Sequence, residues 1–198
     1  MTRTEQLTSV LIASGVVGMA LIGPATPARA QSQLAPPAGH EPMKSGQRMM
    51  MPKDDAGYVQ MMQMHHQQGI DMAKVAEEKS QRDDVKAFAR KMIDEQQKDI
   101  EELRRIEPTV KAGSAAHDGH ESMMKGEAQK MMADLRQAQG AAFDRKFIDM
   151  MIPHHQQAID MSTPPTKFTS ADVKKFARMT IDVQGKEVRE LHQMRKKR

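Results

Sequence analysis

The sequence predicts an all-α protein: a four-helix bundle made of two duplicated antiparallel helical hairpins, joined by a stretch that can add an extra helix. Three observations predict it. Met61–Met72 reads MMQMHHQQGIDM and Met150–Met161 reads MMIPHHQQAIDM, so His65 and His66 recur as His154 and His155 at an offset of 89. Further on, Val85, Lys86, Phe88, Ala89, Arg90, Ile93, Asp94, Gln96 and Leu103 recur as Val173, Lys174, Phe176, Ala177, Arg178, Ile181, Asp182, Gln184 and Leu191 at an offset of 88. In each segment the apolar residues return every three or four positions, the period of one helix face. The one-residue change of offset falls in a connecting loop, where a length change costs little. The duplicated unit is therefore a hairpin, and two hairpins can close one core.

In chain order, residues 1–30 have the layout of a secretory signal peptide: Arg3, an apolar run from Val10 to Ile22, and Ala28-Arg29-Ala30 before Gln31. The apolar run is shorter than the roughly 20 residues a bilayer span needs. Cleavage near Ala30 would place the mature chain in the periplasm or outside the cell, with 168 of the 198 residues, enough for one ordinary domain. Residues 31–52 read as a flexible leader, with Pro36, Pro37, Gly39, Pro42, Gly46 and Pro52. The first hairpin is assigned to 53–107, with helices over Asp54–Ser80 and Asp84–Ile106. Asp54 or Asp55 caps the first, and Asp84 is favoured over Asp83 for the second because Asp172 repeats it. Pro108 ends the second helix. Residues 108–140 form a linker in which Glu121–Ala138 can be helical, with Gly140 as an interruption. The second hairpin takes 141–198, with helices over Ala142–Met161 and Asp172–Met194. Pro153 should bend the first of these, and Pro164 and Pro165 keep it from continuing.

Composition narrows the chemistry. The formal net charge is +4 and falls to +3 without the leader, with both signs mixed almost everywhere, as on a solvated helical surface. The basic end Arg195–Arg198 reads as a solvated terminus. Aromatic residues make up only 3% of the chain, too few for base-stacking platforms, so no nucleic-acid partner is expected. Once the leader is cut, no stretch remains that could cross a membrane. There is no cysteine, hence neither a disulfide framework nor a thiolate ligand. The 20 methionines, 18 of them after the leader, leave the thioether as the only soft ligand. Methionine also fills cores, but here it outnumbers what ordinary core building asks for.

The candidate metal ligands follow from the repeat. Adjacent residues on a helix diverge by about 100°, so each histidine pair makes two faces. His65 aligns with Met61 and Met72, and His66 with Met62; His154 aligns with Met150 and Met161, and His155 with Met151. One face could look inward and one outward, or the two pairs could meet across the bundle. Imidazole with thioether favours copper, Cu(I) above Cu(II); zinc more often recruits carboxylate or further histidine. A di-iron centre needs Glu-x-x-His motifs, and the sequence has none. Asp71, Asp160 and Gln67, Gln68, Gln156, Gln157 read as outer, solvated or supporting groups. In the leader and linker, His40 with Met43, and His117 and His120 with Met123 and Met124, add candidates, and Met49–Met51 has no place in a core. His192 reads as surface. No phosphate cradle, nucleophile elbow or His-Glu-x-x-His is present, so no enzyme is expected. The competing reading is a metal-free helical adaptor or envelope stress protein whose histidines only complete the core.

The run Phe147–Met161, its partner Met61–Ala73 and the Gly140-Ala141-Ala142-Phe143-Asp144 approach resemble the signature of a bacterial family, the domain of unknown function numbered three hundred and five. Its relatives include a cyanobacterial periplasmic copper-binding protein of copper resistance. The resemblance covers about Asp54–Ile106 and Gly140–Met194. It implies a ferritin-like fold, export, histidine and methionine copper ligands on these helices, and non-catalytic sequestration of excess copper. The partners implied are the copper ion and a protein that exports or accepts it. A second copy of the chain is a further partner, since an amphipathic hairpin can equally pair with another.

Overall fold

A computed structural model describes residues 51–110 and 118–197, the side chains of 118–124 and 127 excepted. The expected signal peptide, His40, Met43, Met49, Met50 and His117 lie outside the described residues. The five helices are α1 (Asp55–Lys79), α2 (Asp83–Ile106), α3 (Asp118–Gln137), α4 (Gly140–Ser162) and α5 (Ala171–Lys196), and no strand occurs among the described residues. None of these helices is long and apolar enough to cross a membrane.

Local chemistry sets the boundaries. Asp54 caps α1, its Oδ1 accepting the Gly57 N–H at 2.7 Å, which satisfies one of the free amides of the first turn. The expectation that Asp84 caps α2 is overturned: the cap position is Arg82 and makes no side-chain cap bond. Asp84 lies inside the first turn, where it accepts two bonds from the Arg82 guanidinium at 3.0 and 2.9 Å and pairs with Lys197 at 3.2 Å. Arg82 also donates to the Met194 carbonyl at 3.0 Å, so this corner ties the α1–α2 turn to the end of α5. Likewise Ser170, not Asp172, caps α5, accepting from Val173 N–H. The stretch between the hairpins is a true helix, starting three residues earlier than Glu121. Gly140 begins α4 at φ +52°, a left-handed conformation that glycine adopts without a Cβ clash. From there α4 continues through the exposed Pro153 to Ser162.

Helices α1 and α2 pack on each other, as do α4 and α5; the hairpins meet mainly along α1 and α4 and also along α2 and α5, with α3 against α1 and α4. Most of the buried apolar residues fall into two clusters. One holds Met72 and Ala76 of α1, Val85 to Met92 of α2, Leu135 of α3, Phe143, Phe147 and Met151 of α4, and Leu191 of α5. The other holds Tyr58 to Met62 of α1, Leu103 and Ile106 of α2, Ala158 and Met161 of α4, and Val173 to Ala177 of α5. Within each hairpin, and between α1 and α4 and between α2 and α5, the helices therefore run antiparallel. Met51, expected outside any core, is half-buried against the second cluster, and Pro52 beside it is buried.

Candidate metal centre

Between the two apolar clusters the four helices of the two hairpins, α1, α2, α4 and α5, turn polar at the same height. His65 and His66 of α1, Gln96 of α2, His154 and His155 of α4, and Thr180, Gln184 and Glu187 of α5 are all buried there. The four histidines are at most 4% exposed, so neither pair turns a face to solvent and the pairs meet across the bundle. His65 stacks on its own duplicate, His154, with ring centroids 3.8 Å apart and planes at 26°. The two hairpins thus face each other about an approximate two-fold axis between these rings. His65 Nε2–H donates to the His154 carbonyl at 3.0 Å, which leaves its Nδ1 carrying a lone pair.

The outer histidines, His66 and His155, point the other way. His155 Nε2–H donates to Glu187 Oε2 at 3.0 Å. His66 Nε2 lies 3.2 Å from Asp99 Oδ2, within ion-pair reach but not in hydrogen-bond alignment. Asp99 and Glu187 correspond at the same offset of 88 as the rest of the hairpin. This carboxylate partner escaped the sequence reading because aspartate replaces glutamate; the offset alone could have found it. The aromatic backing is duplicated too: His66 lies against Phe176 with centroids at 6.4 Å, and His155 against Phe88 at 6.1 Å.

Six of the eight imidazole nitrogens in this layer make no hydrogen bond to any described group: His65 Nδ1, both nitrogens of His66, both of His154, and His155 Nδ1. Burial, and then the neighbouring His66 and His155, hold His65 well below its ordinary value of 6.5. Burial, and then His65, His155 and His66, do the same to His154. Both are neutral near pH 7 and can offer a lone pair. Burial pushes Glu95 up to about 6, helped by its hydrogen bond with Glu187. Burial alone would raise Glu187 too, but the His155 bond, the Glu95 bond and Lys91 outweigh it and leave Glu187 below its ordinary value.

The methionines named from sequence stand above and below the histidine layer. Met61, Met62 and Met161 are buried in one apolar cluster and Met72 and Met151 in the other, with Met150 half-buried against the latter. His120 and Met123 fall within α3, their side chains outside the described residues. Among the described residues no three His, Asp or Glu side chains converge as a ready metal cage. Asp71 and Asp160 each accept a hydrogen bond from the glutamine four residues before, Gln67 at 3.0 Å and Gln156 at 2.9 Å. His192 is half-buried rather than on the surface.

Fold and site together define a duplicated helical-hairpin bundle with a buried histidine layer at mid-height. Residues 55–195 match the family Domain of unknown function (DUF305), and the chain belongs to it. Solved structures agree. CopM in the Cu(II)-bound form is 32% identical, with 73% of this chain and 97% of that one aligned at a TM-score of 0.59. CopM in the Cu(I)-bound form is 32% identical over 71% of this chain and 94% of that one, at 0.56. A DUF305 fragment from Deinococcus radiodurans is 26% identical over 70% of this chain and 92% of that one, at 0.60. No curated protein matches the chain.

Proposed function

We propose that this protein is a non-catalytic copper-binding protein of the periplasm that holds copper, Cu(I) in preference to Cu(II), through the mid-bundle histidines and the thioethers beside them. The observation that carries the reading is the set of six imidazole nitrogens buried without a hydrogen bond. A buried polar group left unpaired costs about 1–3 kcal/mol, and a domain is stable by only about 5–15 kcal/mol in total. A layer of that cost persists where it binds something. Neutral imidazole lone pairs flanked by thioethers are a soft ligand set suited to copper, and a chain without cysteine has no other. The copper-bound relatives support the same reading. His65, His66, His154 and His155 are the proposed ligands, with Met61, Met62, Met72, Met150, Met151 and Met161 supplying thioethers after side-chain rotation. His40, Met43, His117, His120 and Met123 are accessory sites for capture. The leader Met1–Ala30 is the proposed export signal, and after its removal the chain works without a membrane.

The test is an anaerobic titration of the chain from Gln31 onward with Cu(I) against a chromophoric competitor. A variant with all four histidines changed to glutamine, checked for helicity, is run beside it. The native chain is expected to outcompete the chromophore and the folded variant to lose most of that binding. Equal binding by both moves the copper to the leader and linker, and no binding by either returns the histidines to a purely structural role.

A further inference from the structure

The two copies are not equally open. Each outer histidine has the same framework: a phenylalanine against the ring, a carboxylate at Nε2, and one residue of the opposite hairpin facing that carboxylate. For His155 these are Phe88, Glu187 and Lys91, whose Nζ stands 3.5 Å from Glu187 Oε1 and 3.5 Å from Glu190. For His66 they are Phe176, Asp99 and, at the position that repeats Lys91, Met179. Glu95, hydrogen-bonded to Glu187, is repeated by Val183. Where one copy has an ammonium, the other has a thioether.

Exposure follows the same division. Glu187 is 3% exposed, whereas Asp99 is 25% exposed. Asp99, Phe176 and Met179 line a surface cleft of about 390 Å³ together with Glu102, the repeat of Glu190, and with Asp172, Lys98 and Lys175; among the described residues neither lysine is ion-paired with Asp99, whose partner is His66. Met179, at 41% exposure, is the one large apolar side chain among the described residues that stands out in solvent. Behind Asp99 lies His66, fully buried, with neither ring nitrogen hydrogen-bonded.

We propose that His66, Asp99 and Met179 form the solvent-exchanging cation site of this protein, an imidazole–carboxylate–thioether set through which a soft metal cation reaches the histidine layer, while Lys91 keeps the duplicate at His155 and Glu187 closed. The proposal rests on the copper reading and adds to it where the metal enters and which ligands outside the signature meet it first. An ammonium at the mouth of a carboxylate site occupies the place of a cation and repels an incoming one; a thioether does neither and binds soft metal.

The test uses Ag(I), a diamagnetic stand-in for Cu(I), added in steps to the chain from Gln31 onward while the histidine ring signals are followed by NMR. The His66 signals are expected to shift before those of His155. Met179→Lys, at an exposed position that tolerates charge, is expected to weaken Ag(I) binding at His66 about tenfold or more by like-charge repulsion. Met179→Leu is expected to weaken it by loss of sulfur alone. The same charge added by Gln193→Lys, away from the cleft, is expected to leave it unchanged. If His155 shifts first, or Met179→Lys has no more effect than Gln193→Lys, this inference falls while the copper reading stands. If no histidine signal responds in the native chain, both fall.

Discussion

Gly69 shows how closely the histidine layer is fitted. A Cβ built there lies 2.5 Å from Gln96 Oε1 and 3.2 Å from Gln96 Cδ. Gln96 is 3% exposed and both its amide atoms lack a hydrogen bond, so it has little room to withdraw. Its duplicate Gln184 faces a chain that has Ala158 where the first copy has Gly69; the repeat thus differs at the residue that sets the space beside the amide. Overpacking costs about 1–3 kcal/mol, and alanine recovers close to 1 kcal/mol of helix propensity over glycine. Gly69→Ala is therefore expected to destabilise the metal-free chain by about 1 kcal/mol in urea unfolding. Adding Gln96→Ala should relieve that loss, since it removes both the clash and an unpaired amide. A stabilised single variant would show that Gln96 can move. At this scale the sequence was readable where a residue type announced its chemistry, as with the histidines. It was not readable where a residue matters for what it leaves empty, as with Gly69.

Elements were legible from period and punctuation. The apolar stripes located α1, α2, α4 and α5, and the prolines after α2 and α4 marked their ends. Caps were less legible, because several polar residues compete at each start and the backbone chooses among them. Position after the turn makes Asp83 or Asp84 the cap and the repeat favours Asp84, yet the Asp84 carboxylate is claimed by Arg82 and Lys197. Arg82 is bound in turn to Met194, 112 residues away. A contact of that range leaves no local trace in the sequence. Pro153 belongs to this scale as well. It sits exposed within α4, and Met64 stands at the same place in α1. An interior proline removes a helix bond and costs about 3 kcal/mol relative to alanine. Pro153→Ala is expected to raise stability by about 1–3 kcal/mol, read as a shift of the denaturation midpoint. A loss of stability instead would mean that the path of α4 beside His154 is one that only proline maintains.

Across the whole molecule, a polar layer is enclosed between two apolar clusters, and this makes stability depend on pH in a definite direction. His65 and His154 have folded values well below 6.5, so the stability they contribute is present above 6.5 and is lost as pH falls below it. Glu95 runs the other way. Its folded value of about 6 lies above the ordinary 4.5, so its contribution is present below 4.5 and lost as pH rises through 6. Two fully buried bases outweigh one partly exposed acid. The metal-free chain, kept in chelator, is expected to unfold at lower urea as pH is lowered from about 7.5 to about 5.5. Replacing both His65 and His154 by glutamine should flatten that slope, and Glu95→Gln should steepen it. A midpoint that stays constant or rises on acidification would mean that the layer opens to water and is not held dry.

By itself the sequence determined that the chain is helical, that it is a hairpin written twice, and that histidine and methionine are the soft-metal ligand types it has to offer. Each of these is a matter of residue type, period and repetition, and all three are properties of one dimension. Only the tertiary structure decided that His65 and His154 stack across the bundle, that His66 and His155 turn outward to Asp99 and Glu187, and that Lys91 pairs with Glu187 while Met179 shares a surface cleft with Asp99. Those facts depend on which faces of different helices are brought together. That choice is made by the packing of two apolar clusters whose members lie as far apart as Tyr58 and Phe176. A duplicated sequence implies equal halves; the environment each half provides for the other is what makes them differ.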